Sequence, residues 1–346
     1  MRWIVTGGCG FLGSNLAAAL LAGRHEVIVF DNLSRVGSRE NLAWLRAQRD
    51  VRFVPGDIRQ QVAVDELLHC FGGNLDAVAH LAGQVAATTS VREPRFDFDV
   101  NVVGTINVLE SVRRHAPRAA VLFSSTNKVY GELAGLRTEE TPTRYRLPDW
   151  PLGLDESLPL DFRTPYGCSK GAADQYVREY YRSYGLRTVV LRHSSIYGGR
   201  QFATYDQGWV GWFCQKALEM GDPGREPFTI SGSGKQVRDL LHADDIVRCY
   251  LLAYEHLSEI AGEAYNIGGG SDNSLSLLEL FEELQKLTGQ TLRWRQQAAR
   301  PGDQKVFVAD IRKAERDFGW RPRVGKADGL RAMLQWTRSE LQSRAA

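Results

Sequence analysis

Tyr166 and Lys170 stand four residues apart in Thr164-Pro-Tyr-Gly-Cys-Ser-Lys170, a stretch that reads as a helix. Residues i and i+4 share one helix face, so the phenol and the ammonium can enter one site. A tyrosine titrating near ~10 is a poor base at neutral pH. Bringing it to about 7 takes roughly 4 kcal/mol, and one cation at about 4 Å in an effective dielectric near 20 supplies about that much. A Y-x-x-x-K pair alone is common on helices, and its weight comes from the other end of the chain. There Trp3-Ile-Val-Thr-Gly7-Gly-Cys-Gly10-Phe11-Leu12-Gly13 leads an apolar run into a glycine-spaced turn and then a helix-like stretch. Such glycines let the backbone turn tightly against a pyrophosphate while the helix N-terminus faces the anion. The spacing G-x-x-G-x-x-G departs from the usual G-x-G-x-x-G. A second apolar run, 26–31, ends in Asp31, where a carboxylate can accept the adenosine ribose hydroxyls and repel a 2′-phosphate. That favours NAD over NADP, although Arg35 is the kind of neighbour that accommodates the phosphate.

These groups need elements to carry them. Apolar runs at 2–6, 26–31, 51–54, 76–82, 119–125 and 187–193 alternate with helix-like segments at 11–22, 39–48, 60–71, 97–115 and 165–184. The alternation predicts an α/β fold, a doubly wound parallel sheet of the Rossmann type with right-handed crossovers. Ligands on such sheets lie outside the carboxyl ends of the strands, where Gly7, Asp31, Asp57, 81–84 and 124–126 fall. Residues 1–195 are expected to form this cofactor-binding part, with some later segments returning to it. Residues 196–346 are expected to form a smaller mixed α/β lobe with helices at 208–220, 243–256, 275–288 and 326–340. The stretch 133–163, rich in Pro, Asp, Arg and Thr, reads as a long surface loop.

The whole-chain balance is unspecialised: 43 basic and 41 acidic residues in 346, with no long run of either sign. It argues against a nucleic-acid or membrane surface. Five cysteines without paired-ligand spacing read as reduced thiols, and the seven histidines form no metal pattern, so no metal is expected. A strand at the very start and the lack of an 18-residue apolar run predict a cytoplasmic protein.

Together the motifs resemble the extended short-chain dehydrogenase/reductase family of nucleotide-sugar enzymes. They are T-G-G-x-G-F-L-G, Asp31-Asn32, Gly56-Asp57-Ile58, His80-Leu-Ala-Gly83, Asn101-Val-Val-Gly-Thr105 and Ser124-Ser-Thr126. Val129-Tyr-Gly131, Tyr166 with Lys170, Leu191-Arg192, Tyr197-Gly198, Arg238-Asp239 and Tyr265-Asn-Ile-Gly268 complete them, covering nearly the whole chain. The stretches 124–130, 192–197, 199–212 and 235–238 resemble a subgroup of 2-epimerases acting on CDP-linked 3,6-dideoxy sugars.

That resemblance implies a catalytic set of Thr126, Tyr166 and Lys170. Thr126 would hydrogen-bond the sugar oxygen, Tyr166 would take its proton, and Lys170 would lower the tyrosine pKa and hold the nicotinamide ribose. It implies NAD contacts from Gly7, Gly10, Phe11, Leu12 and Gly13, from Asp31, Asn32, Ser34 and Arg35, and from Asp57 and Ile58. Leu81, Ala82, Gln84 and Asn101 join them, with His193 as a wall residue beside the nicotinamide. The nucleotide sugar, a CDP-sugar by this likeness, would meet Thr126, Asn127, Ser195, Gln207, Arg238, Arg300 and Asp303. The two arginines would grip the diphosphate, whereas the plainer role for Arg238 is a pair with Asp239, Asp244 or Asp245. Trp209, Trp212 and Phe213 are expected in core or subunit packing. Sugar 4,6-dehydratases of the family carry Asp-Glu after the threonine; Asn127-Lys128 stand here, and an amide and an ammonium cannot replace that acid/base pair. Redox-neutral epimerisation is therefore the expected reaction, in synthesis of a surface polysaccharide sugar such as that of an O-antigen. A 4-epimerase or another nucleotide-sugar epimerase on the same scaffold stays open, as does a silent NAD-binding protein. A homodimer or homotetramer is expected from the family habit.

Overall fold

The computed structural model describes residues 1–221, 224–300 and 302–345. Seven parallel strands make the main sheet, in the order Ala264–Ile267, Thr188–His193, Ala120–Thr126, Ala77–His80, Arg2–Thr6, Glu26–Asp31, Arg52–Pro55. The central strands are Val-, Ile- and Leu-rich and buried along their length, as a parallel sheet covered on both faces requires. One face packs on helices Phe11–Ala22, Ser38–Gln48 and Ala243–Glu255 through Leu16, Leu45 and Ile246. The other face packs on Gln61–Phe71, Gly104–His115 and Thr164–Tyr184 through Leu67, Val108 and Val177. Strand order reverses between Arg2–Thr6 and Ala77–His80, which opens the crevice where such sheets bind ligands.

The doubly wound sheet is the fold class expected, and two local features differ. The helix expected over 97–115 is broken: Pro94–Phe98 leads into a π-helical turn, Asp99–Val103, before Gly104–His115 begins. The wide turn aims the Asn101 amide back at Gln84, a tertiary demand that helical periodicity does not register. The stretch 133–163 is not a simple surface loop. It carries the short hairpin of Glu139–Glu140 and Tyr145–Arg146, and fully buried Leu154 packs with Tyr130, Phe307 and Ala309. Its apolar residues, Leu133, Leu136, Leu147, Trp150, Leu158 and Leu160, are too widely spaced to show a period yet close one small core. Ala264–Ile267 pairs with Thr188–His193, so the sheet gains its last strand from late in the chain.

The remaining lobe is built on Val237–His242, which pairs with Ser195–Tyr197 and Val306–Phe307 in parallel and with Ser274–Ser276 antiparallel. Helices Trp209–Glu219, Leu277–Thr288 and Lys326–Ala345 enclose its core around Phe213, Phe281, Leu280 and Met333. Ser276 and Glu279 form a reciprocal capping box that starts the second of these helices. Among the described residues no helix is long and apolar enough to cross a membrane.

Candidate active site

The glycine turn is fixed by crowding. Gly7 has φ 68°, and a Cβ there would stand 2.7 Å from the Ala82 backbone nitrogen. A Cβ on Gly13 would strike the Gly7 carbonyl oxygen. The helix Phe11–Ala22 starts at Gly10 with no side-chain cap, leaving its first-turn amides to the crevice. Asp31, nearly buried at its strand end, accepts from the Cys9 amide at 3.0 Å and the Leu33 amide at 2.7 Å; burial raises its pKa. Asp57 accepts from Arg59 and Asn32, which hold its carboxyl down at about 2.

These groups converge on one cleft of about 410 Å³. Gly7, Gly10, Phe11, Leu12 and Gly13 line it, with Asp31, Asn32, Ser34 and Arg35, then Asp57, Ile58, Leu81, Ala82 and Gln84. An elongated dinucleotide fits this donor set: glycines too tight for any Cβ, first-turn amides for a pyrophosphate, and a carboxylate for a ribose. Asn101, Tyr166, Lys170 and His193 do not line the cleft. Asn101 is spent inside, donating to the Gln84 carbonyl at 3.1 Å and Ser169 at 3.0 Å while its oxygen accepts from the Gln84 amide. His193 lies between the Ser124 and Tyr250 hydroxyls at 3.3 Å each, and burial lowers its pKa to about 3, so it is neutral.

Pro165 in the first turn and Gly185 at φ 68° bound the helix Thr164–Tyr184. A buried network seats it: Asp174 takes both Arg192 Nε and Nη2 at 2.9 Å and the Ser125 hydroxyl at 2.7 Å, one residue before Thr126. The Thr126 side chain consequently faces the Tyr166 phenol. Lys170 does not depress the phenol as expected. Burial pushes Tyr166 up to about 12, with only the Thr126 bond opposing it. The Lys170 ammonium turns to the Ser124 carbonyl at 2.5 Å, over the Phe123 ring, and burial draws it down to about 7. Its charge is answered by Asp97 and Asp174 rather than by the phenol.

A second cavity of about 260 Å³ adjoins the first, and Gln207 lines both. Asn127, Ser195, Arg238, Arg300 and Asp303 line it, whereas Thr126 does not. Arg238 does not pair with Asp239, Asp244 or Asp245. Asp239 is fully buried, accepting from the Gly270 and Ala309 amides, so Arg238 reaches Asp303 at 2.7 Å instead. Lys128 meets the same Asp303 oxygen at 3.3 Å, and burial beside Arg238 lowers its pKa to about 8. Sequence reasoning used Lys128 only to exclude dehydration, although a cation two residues past Thr126 was signal enough to place it in the site. Trp209, Trp212 and Phe213 also line the cavity besides packing on the lobe core, and Trp209 Nε1 donates to Ser195 at 3.1 Å. Arg300 lies over the Tyr205 ring, 5.1 Å from its centre.

Residues 3–268 match the model of the NAD dependent epimerase/dehydratase family. The chain is 54% identical over 339 residues to CDP-paratose 2-epimerase of Salmonella typhi, covering 98% of this chain and 100% of that protein. Among solved structures it is similar to Thermotoga maritima UDP-glucose 4-epimerase with UDP-glucose, at TM-score 0.82 and 31% identity over 99% of this chain and 100% of that one. It is also similar to Thermus thermophilus UDP-glucose 4-epimerase in complex with NAD, at TM-score 0.80 and 30% identity, covering 98% and 99% of the two chains.

Proposed function

The chain belongs to the NAD dependent epimerase/dehydratase family, and on that premise we propose that it inverts C2 of a CDP-linked 3,6-dideoxyhexose, converting CDP-paratose and CDP-tyvelose. The full-length likeness to the Salmonella typhi enzyme carries this reading. Bound NAD supplies an oxidised, positively charged nicotinamide that takes hydrogen with its electron pair from a carbinol and returns it. Tyr166 receives the hydroxyl proton as the C–H bond breaks, and gives it back when the pair returns to the opposite face. Thr126 would hold the sugar oxygen beside the phenol, and the phenol pushed up to about 12 needs the nicotinamide charge to ionise.

The second cavity supports epimerisation over dehydration. Asn127 Nδ2 is fastened to Gln304 at 3.0 Å, and Lys128 and Arg238 both claim Asp303, so among the described residues of this cavity wall next to Thr126 an amide and paired charges stand in place of a free carboxylate. Lys128, Arg238 and Arg300 suit the diphosphate of the nucleotide. The same reading makes the protein a cytoplasmic homodimer or homotetramer, with the half-exposed Tyr176 and Tyr184 of the catalytic helix at the contact. Purified protein offered CDP-, UDP- and GDP-sugars in turn, with products read by NMR, tests the assignment. Inversion at C2 of the CDP-sugar is expected, with no solvent deuterium at that carbon. Inversion of a UDP-sugar at C4 alone would overturn it. Tyr166→Phe should cut turnover at least ~1000-fold with NAD still bound.

A further inference from the structure

The segment 199–207 leaves the substrate lobe for the cofactor cleft, where Arg200, Gln201, Phe202 and Gln207 line the wall together with the glycine turn. It is fastened on both sides. Asn15 Nδ2 donates to the Gly199 carbonyl at 3.0 Å. Asn41, 2% exposed, holds Arg200 twice: its Nδ2 donates to the Arg200 carbonyl at 3.3 Å, and its Oδ1 accepts from Arg200 Nε at 2.9 Å. The same Nδ2 lies 3.1 Å from the carbonyl of Cys9, inside the glycine turn, so one amide joins both walls. The Arg200 guanidinium is sandwiched between Trp44 and Phe202 at 5.1 and 5.4 Å. Phe202 presses where Gly37 lacks a side chain. On the far side the Thr89 hydroxyl donates to Asp206 at 3.3 Å, and Asp206 faces Arg35. Arg200 holds a left-handed φ of 70°, which a non-glycine residue adopts only where its surroundings impose it.

A dinucleotide held by the glycine turn would lie against this segment as well. We propose that 199–207 is a strap that keeps NAD in its cleft from one turnover to the next, and that Asn41 is the positioning residue that closes it. The proposal rests on the NAD-dependent epimerase reading, in which the electron pair removed from the sugar must return to it. An early loss of reduced cofactor would leave a keto-sugar without its reductant.

The test follows NAD release from the holoenzyme, by exchange against excess isotopically labelled NAD and mass spectrometry of the protein-bound fraction. No sugar is needed, so the outcome is independent of the substrate assignment. Asn41→Ala and Phe202→Ala should each release NAD roughly ten- to a hundredfold faster, and Thr89→Val a few-fold faster. Phe202 lies away from the glycine turn, so acceleration in both of the first two variants marks the strap itself. Acceleration in Asn41→Ala alone would place its effect on Cys9 and overturn the strap. Release within twofold of the parent in Phe202→Ala and Thr89→Val would overturn it too, and these two variants decide the matter if Asn41→Ala does not fold.

Discussion

The cofactor cleft and the substrate cavity share Gln207 but are made of different material. The cleft is largely a main-chain construction: glycines that admit no Cβ, an uncapped helix start, and strand ends that arrive within the first hundred or so residues. The cavity is a side-chain construction. Lys128, Arg238 and Arg300 come from distant segments, and two of them rest on one Asp303 oxygen. A backbone-built site tolerates little change in the glycines that shape it. A side-chain site is retuned by exchanging a residue that touches only its ligand, which suits a scaffold whose relatives act on different nucleotide sugars.

Substitutions can break this contrast in order of expected effect. Gly13→Val puts a side chain against the Gly7 carbonyl and should remove NAD altogether, at least ~1000-fold in affinity, with CDP binding kept. Absorbance of the purified protein and calorimetry with CDP check the two halves. Loss of CDP binding as well would mean the sites are not separately built. Arg238→Ala should weaken the nucleotide diphosphate roughly 100-fold, the worth of about 3 kcal/mol for a charged hydrogen-bond donor, while NAD content stays level. Lys128→Met should cost roughly tenfold and also change the pH dependence. The ammonium, lowered to about 8 by burial and Arg238, is charged below that pH and neutral above it. Substrate affinity should therefore fall as pH rises through about 8 in the parent and lose that step in the variant, even with Asp303 and Arg300 nearby.

Stability, rather than binding, reports on the sheet under both sites. His80, held between Thr6 and Thr105, and His193 are each lowered to about 3, chiefly by burial and then by Lys170. Unfolded histidine takes a proton near 6.5, so between that pH and about 3 the unfolded chain binds more protons than the folded one. Stability is retained above about 6.5 and lost as pH falls, by roughly 1 kcal/mol per unit for each ring. Urea unfolding at pH 7 and 5 measures it, and a flat profile would mean these rings are not held neutral.

What the sequence discloses follows the same division. The glycine turn, Asp31 and Asp57 are legible because each sits at or just past the carboxyl end of its own strand, where local spacing sets its place. Tyr166 and Thr126 lie side by side, yet the direction of Lys170 is not legible: it depends on where the Ser124 carbonyl and the Asp97 and Asp174 carboxylates lie, all tertiary facts. Asn101 belongs to the right motif but works beneath the cleft, because a π-helical turn redirects its amide. Arg238 could not be matched to Asp303 by inspection, since the nearer carboxylates in sequence are occupied by backbone amides or other side chains. Leu154 and Phe307 meet across half the chain, and no local pattern reports such a meeting.

Ala264–Ile267 reaches the sheet only after the chain has visited the substrate lobe, and Ala243–Glu255 covers one sheet face on the way. A polypeptide cut after Ser195 would therefore carry a naked edge along Thr188–His193 and an uncovered apolar surface around Val189 and Leu191. The halves are interlaced rather than strung in tandem. Swapping one for a relative's counterpart to change sugar preference should be done by grafting lobe segments between fixed anchors, not by splicing at a single junction.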